Sequence, residues 1–382
     1  MAEKQQSNYF SIFDRPFSQR IKEGWDKFSE GEEKLRNMID NKESAESIAE
    51  FCHELLRPAF SDVFFEVGFN GKKYELILSP EKEKFYLYFY EAFKKQAPQK
   101  ITENWDIILG IPHSVYCEMV FHGKTVSPED VTVKIEEKES FQLCVTGYCE
   151  KLVDILKENK DEALRFLSLL IDMTVSEIVS MRYIKTIDIT DKPIIGDRKT
   201  FSLDILPVVM ENIYGDDKEW DLTESYLQKY SSYFFLPNES SYNFIPREDV
   251  YVGFSCLPQV IRCCCIDDDF YTEKAIKEGA VIGYIYYTTG EFSEKANKKK
   301  LDVILDFQDE FMKYIDEKTS GTACCFIGCA TGIYCSYLDF IAWDLKLVLD
   351  TAKEFFKSKK TVKRAAYKFY CLDTGEIVIY ER

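Results

Sequence analysis

The chain reads as an α+β protein of two lobes, each a mostly antiparallel sheet layered with helices. Three observations lead there. Its 382 residues exceed one average domain, which points to two. Apolar residues make up 46% of the chain and aromatics 15%, enough for a large core built from rings. Hairpin-like strand pairs recur between amphipathic helices, and hairpins interrupt the strand–helix alternation that a doubly wound parallel sheet needs.

The elements follow in order. Phe17 to Met38 carries Ile21, Trp25, Phe28 and Leu35 on one side of a helix. Ser44 to Leu56 is a second helix, stopped by Pro58, since the position before a proline leaves helical space. Val63 to Phe69 and Tyr74 to Leu78 flank Asn70-Gly71, which predicts a hairpin with a type I′ turn. Phe85, Tyr88, Phe89, Ala92 and Phe93 fall at helical spacing, and Trp105 to Leu109 reads as a strand. Val131 to Ile135 pairs with Phe141 to Val145 as a hairpin, and Ala163 to Val179 is one buried helix. Tyr183 to Ile189 closes the first lobe, residues 1–192, before a polar break around Pro193 and Gly196.

The second lobe spans 200–382. It opens with a helix, Leu203 to Tyr214, with Pro207 in its first turn. A polar loop from Pro237 to Asp249 leads to strands at Tyr251 to Cys256 and Ala280 to Tyr287. Val303, Ile304, Phe307, Phe311 and Ile315 mark a helix, Ala323 to Ile327 and Ile333 to Leu338 mark strands, and a further helix starts at Asp344. Tyr367 to Cys371 and Ile377 to Tyr380 form a last hairpin turned by Asp373-Thr374-Gly375.

Charge and cysteine usage narrow the class. The net charge of −17 repels nucleic acid unless a basic stripe overrides it, and Asn297-Lys298-Lys299-Lys300 and Lys357-Ser358-Lys359-Lys360 are too short for that. No nucleic-acid partner is expected; a basic protein partner suits the charge. Met1 to Gln6 lacks the apolar core of a signal peptide, and the apolar run Leu164 to Met173 is too short to span a bilayer, so the expectation is a cytoplasmic protein with no membrane partner. The 13 cysteines are odd in number and include Cys263-Cys264-Cys265 and Cys324-Cys325, which read as half-buried strand positions with free thiols.

Chemistry is harder to find. Gly328-Cys329-Ala330-Thr331-Gly332 lacks the lysine of a phosphate-cradling loop and the spacing of a nucleophile elbow. A tight turn inside a sheet is the simpler account, with Cys329 the best single nucleophile candidate. A catalytic thiol needs an imidazole nearby, and only His53, His113 and His122 exist. Cys117 lies between the last two and joins them as a candidate, although surface loop histidines are the simpler account of both. Cys325-x3-Cys329 and Cys144-x4-Cys149 have loose spacing and lie in strand-like segments rather than zinc-knuckle turns, so neither a metal nor another cofactor is expected. Asp267-Asp268-Asp269 reads as the cap of a helix from Phe270 to Lys277, and Glu136-Glu137 and Asp216-Asp217 as solvated turns. Tyr284 and Tyr286, alternating in one strand, are the binding candidates, with a ring-rich core as the plainer account.

Several segments resemble a bacterial family catalogued as domain of unknown function 695. In the first lobe these are a strand ending Leu76-Ile77-Leu78-Ser79, a helix, Gln96-Ala97-Pro98, and a strand opening at Trp105. In the second they are Ile327 to Gly332, Tyr337-Leu338-Asp339 and Asp344, with Cys329 standing where a second glycine is expected. The resemblance implies a bacterial origin and a cytoplasmic α+β fold, and no activity. The functional expectation is a non-catalytic protein-binding protein of the immunity or adaptor type. Its rival is an enzyme using a Cys/His or carboxylate site.

Overall fold

The computed structural model describes residues 14–114, 117–138, 141–196, 199–216, 219, 221–239, 244–290, 300–371 and 374–382. Met1 to Gln6, Asp217, Asn297 to Lys299 and Asp373, each part of a reading above, lie outside the described residues.

The chain opens with α1 (Phe17–Asp40) and α2 (Ala45–Leu56). α1 buries Ile21, Trp25, Phe28 and Leu35, the stripe that its spacing sets on one face. Ser44 caps α2 by accepting the Ser47 N–H at 3.2 Å. Then follow β1 (Phe64–Phe69), β2 (Tyr74–Ser79), α3 (Lys84–Lys95), α4 (Gln99–Asn104), β3 (Trp105–Leu109), β4 (Met119–Phe121), β5 (Lys124–Val126), β6 (Thr132–Glu137) and β7 (Leu143–Tyr148). Next come α5 (Val153–Glu158), α6 (Lys160–Val175), α7 (Glu177–Tyr183), β8 (Ile184–Ile189), β9 (Thr200–Ser202), α8 (Leu206–Tyr214) and α9 (Thr223–Leu227). The remainder is β10 (Ser231–Phe234), β11 (Val250–Ser255), α10 (Pro258–Cys265), α11 (Phe270–Lys277), β12 (Val281–Thr288) and α12 (Lys300–Thr319). It ends with β13 (Cys324–Gly332), β14 (Cys335–Ala342), α13 (Leu345–Ser358), β15 (Arg364–Phe369) and β16 (Glu376–Glu381).

Two compact units result, and both are α+β. One is continuous, Val63–Gln228; the other joins the described residues up to Asp62 with Lys229–Arg382. This division differs from the lobes expected at 1–192 and 200–382. β9 pairs with β6, and Leu206 and Met210 of α8 enter the same core as Val133 and Val145, so the chain past the polar break still belongs to the continuous unit.

The continuous unit holds a three-stranded sheet, β1-β2-β3, a four-stranded sheet, β8-β7-β6-β9, and the small β4-β5 pair. Pairings β2–β3 and β7–β8 are parallel, the others in this unit antiparallel. Two local readings change here. The β1–β2 connection is a four-residue loop, Asn70 to Lys73, because Phe69 pairs with Tyr74 and the Asn70 side chain accepts the Lys72 and Lys73 N–H groups. The helix expected through Val179 is broken at Ser176, whose φ of 77° ends α6 and whose hydroxyl caps α7 at Val179.

The discontinuous unit is built on a seven-stranded antiparallel sheet ordered β10-β11-β13-β14-β12-β15-β16. Strand alternation sends Ile285, Tyr287, Leu338 and Phe340 to one face, where Phe307 and Phe311 of α12 and Phe355 and Phe356 of α13 complete the core. The other face carries Tyr284, Tyr286, Tyr337, Asp339 and Lys368, aligned by the pairings Tyr284↔Asp339, Tyr286↔Tyr337 and Tyr284↔Lys368. Cys263-Cys264-Cys265, expected in a strand, ends helix α10 instead; a short apolar run has no period that separates the two states.

Candidate functional site

The site grows from the loop before β11. Asp249 is 1% exposed, and its carboxylate accepts the Tyr334 and Cys335 N–H groups at 2.9 and 3.0 Å and the Tyr337 hydroxyl. It thereby fastens this loop to the turn between β13 and β14. Two residues earlier, Arg247 sits at a φ of 79°, a left-handed conformation that costs a residue with a Cβ about 1 kcal/mol. Its N–H donates to the Tyr337 hydroxyl at 2.9 Å, which helps hold that conformation.

The turned backbone delivers the Arg247 side chain onto the tyrosine-bearing face of the sheet. Nη1 donates to Asp339 and, at 3.1 Å, to the Tyr370 hydroxyl; Nη2 donates to the Tyr233 hydroxyl at 3.0 Å. The Tyr370 hydroxyl donates to the same Asp339 oxygen at 2.6 Å. The guanidinium carbon lies 5.2, 5.6 and 5.5 Å from the rings of Tyr284, Tyr337 and Tyr370, within cation–π range. Tyr233 reaches this position because Gly253 lies beneath its ring, where a Cβ would come within 2.2 Å.

Electrostatics keep the Arg247 guanidinium charged. Burial opposes the Arg247 charge, but Asp339, Tyr370 and Tyr233 outweigh it and raise its pKa above the ordinary value. Burial likewise pushes Tyr233, Tyr284 and Tyr370 up, so all three stay neutral phenols.

A cleft of about 910 Å³ opens over this nest. Arg247 and Tyr284 line it together with Leu236 and Pro237, which follow β10, and with Cys264 and Cys371. The approach to it is apolar: Phe234 is 74% exposed and Leu236 99%. Beside it runs β10, the first strand of the sheet, with no strand on its outer side among the described residues. The Phe235 N–H donates to Tyr251 O at 3.2 Å, so by antiparallel alternation Tyr233 also bonds inward to β11. The backbone groups of Ser232 and Phe234 therefore face outward.

The sequence candidates fall in several places. Tyr284 and Tyr286 are only 3% and 2% exposed. Tyr284 lines the cleft over Arg247, whereas Tyr286 bonds to Glu376 and accepts from Arg364 at 3.0 Å. Cys329 lies in β13 opposite Leu338, and burial, with Asp339, pushes its thiol up to about 12. His113 and Cys117 share a separate cleft of about 530 Å³ in the continuous unit. There the Cys117 thiol points to Met173 Sδ at 3.7 Å, and burial with Glu129 pushes it up, the opposite of nucleophile activation. His113 bonds to Thr174 O, and His122 pairs with Glu162 at 2.8 Å. The Gly328 to Gly332 segment belongs to β13, where a Cβ on Gly328 would meet Phe254 O at 2.5 Å. Of the Asp267 to Asp269 run, Asp269 is the N-cap of α11 but makes no side-chain capping bond, whereas Asp268 before it accepts the Phe270 N–H at 3.0 Å.

Arg247, Asp339 and Cys371 escaped sequence reasoning as a group. Arg247 meets its partners across 14, 92 and 123 residues of chain, so no local spacing announces them. The described residues contain no cluster of three metal-ligating side chains, and no helix among them is long and apolar enough to cross a membrane. Comparison with family models, curated proteins and solved structures finds no match.

Proposed function

We propose that the chain is a non-catalytic protein-binding protein that takes an extended, basic segment of its partner along β10 and into the Arg247 cleft. The observation that carries this reading is the edge at β10, which is uncharged and, among the described residues, unpaired, with exposed Phe234 at its end. A free edge is a template for strand addition, and proteins that do not use one shield it with charge. The opposite edge of the same sheet is shielded: Glu376 and Glu381 bracket β16, and both pair with Arg364. β10 offers Ser231, Ser232, Tyr233 and Phe234 instead, followed by exposed Leu236. Backbone bonds from Ser232 and Phe234 supply pairing, and Phe234 and Leu236 supply apolar area.

The net charge of −17 favours a basic segment by steering encounter. The neutral phenols and the protonated, fully engaged Arg247 suit a preformed binding floor better than acid–base work. The test is affinity capture from the native host, followed by titration of the identified partner against wild type, Ser232→Pro and a Phe234→Ala/Leu236→Ser double variant. Both variants are expected to weaken binding at least tenfold. Unchanged affinity in both would sink the assignment to β10.

A further inference from the structure

The cleft over Arg247 sorts its polar groups by depth. Its floor carries Tyr284 and Lys368, which stand opposite each other where β12 pairs with β15 and so project side by side from one face. Tyr284 is 3% exposed, yet its hydroxyl makes no hydrogen bond among the described residues. A phenol buried this deeply ordinarily has a partner. Lys368 is half-buried and has no ion-pair partner among the described residues. Glu376, its neighbour across the ladder to β16, is already engaged by Arg364 and by the Tyr286 hydroxyl. Arg247 is likewise occupied, by Asp339, Tyr370 and Tyr233. The floor therefore presents two unengaged donors, one of them charged.

The rim has the opposite character. Glu248 and Asp267 line the cleft and are both exposed. Leu236, Pro237 and Phe369 supply apolar wall, and the volume of about 910 Å³ lies near the upper end for ligand pockets, enough for a terminal residue with its side chain. β10 leads to this place, because Phe235 to Asn238, which follow it, form part of the wall.

A segment laid along the outer side of β10 brings its C-terminal end to the cleft if it runs parallel, and its N-terminal end if it runs antiparallel. The antiparallel path would set a terminal ammonium against Lys368, a like charge. The parallel path sets a carboxylate, which only accepts, against two donors.

We infer that the cleft holds the free C-terminal carboxylate of the partner, with its last residues parallel to β10 and its basic side chains towards Glu248 and Asp267. The path along β10 rests on the function proposed above; the carboxylate contact rests on Tyr284 and Lys368. The Lys368 ammonium and the Tyr284 hydroxyl both donate to the carboxylate, in charge-assisted bonds of the stronger kind. These offset the slightly weaker pairing of a parallel ladder. Ion pairs at the exposed rim add selectivity more than affinity.

The test pans the full chain against random peptides displayed with free C-termini. Enriched peptides are then synthesised as free acids and as C-terminal amides and titrated. The acids are expected to bind about tenfold tighter or more, the loss expected when a charged hydrogen-bonded group is removed. Lys368→Met and Tyr284→Phe should each shrink that ratio, whereas Ser232→Pro should weaken acid and amide alike. Acids and amides of equal affinity for wild type would overturn the inference, and that outcome needs no variant to fold. A ratio that survives the Lys368→Met/Tyr284→Phe double variant would overturn it too, by placing the carboxylate elsewhere. Peptides that show the ratio but are indifferent to Ser232→Pro would remove the β10 path and leave the carboxylate site standing. A library that yields no binder would count against both.

Discussion

The α-carbon of Gly332 lies against the buried carboxylate of Asp249, so closely that a Cβ there would meet Oδ2 at 2.3 Å. This contact explains the last glycine of the Gly328 to Gly332 run, which the sequence suggests as part of a tight turn. The carboxylate needs that space to reach the amides of Tyr334 and Cys335, and through the Tyr337 hydroxyl, which also accepts the Arg247 N–H, it positions Arg247.

Gly332→Ala should therefore destabilise the discontinuous unit by about 2–4 kcal/mol, the range of an overpacked site beside a buried, hydrogen-bonded charge. Urea unfolding of wild type and variant would measure it. A loss below 0.5 kcal/mol, the scatter of ordinary surface changes, would mean that the loop gives way easily.

The Arg247–Asp339 pair supports a second expectation. Their side chains are 12% and 0% exposed, so removing either partner leaves the other charge buried. Arg247→Met or Asp339→Leu alone should cost about 3–5 kcal/mol, and the double variant should recover much of it. Arg247→Lys should also be costly, since one ammonium cannot reproduce the fork that serves Asp339, Tyr370 and Tyr233 together. Equal losses in the double variant and the sum of the singles would show that the two residues act independently.

In the continuous unit, pH should report on Asp172. Burial raises its pKa to about 6, more than the nearby Lys82 lowers it. Unfolded, it titrates near its usual 3.8, so between these values the folded chain holds more of the proton. Its contribution to stability is therefore largest below about pH 4 and declines as pH rises to about 6. Asp172→Asn should remove that decline, so the variant gains about 1–3 kcal/mol relative to wild type between pH 4 and 7. Denaturation midpoints across this range test it; parallel curves for the two proteins would refute the assignment.

These residues also show where sequence reading reaches and where it stops. Ile21, Trp25, Phe28 and Leu35 announce α1 because burial repeats with the helix itself. Ser176 does not announce the break between α6 and α7, since apolar residues continue on both sides and the signal is one backbone angle. Arg247 lies in a polar loop whose meaning depends on Asp339 and Tyr370, residues that only the sheet order places beneath it. Local pattern thus carries elements and core, whereas the site is assembled by long-range pairing.

The last expectation concerns the two sides of β10. If Ser232 faces outward and Tyr233 inward, proline should discriminate between them. Proline lacks the backbone N–H and is tolerated in a sheet only where that N–H points away from the ladder. Ser232→Pro should leave stability within about 1 kcal/mol of wild type, because residue 231 before it is already in a strand, the conformation proline demands of its predecessor. Tyr233→Pro should cost about 3 kcal/mol or more, since it removes an inward bond to β11 and the hydroxyl that holds Arg247. Thermal unfolding separates the two outcomes, and equal losses would place the outward groups elsewhere. With that control in hand, lost partner binding by the stable Ser232→Pro variant can be assigned to the missing edge donor rather than to a damaged fold. Association with the partner should also slow as salt shortens the reach of the acidic field to about 8 Å at physiological ionic strength. An association rate indifferent to salt would leave the β10 pairing in place but remove the basic character assigned to its partner.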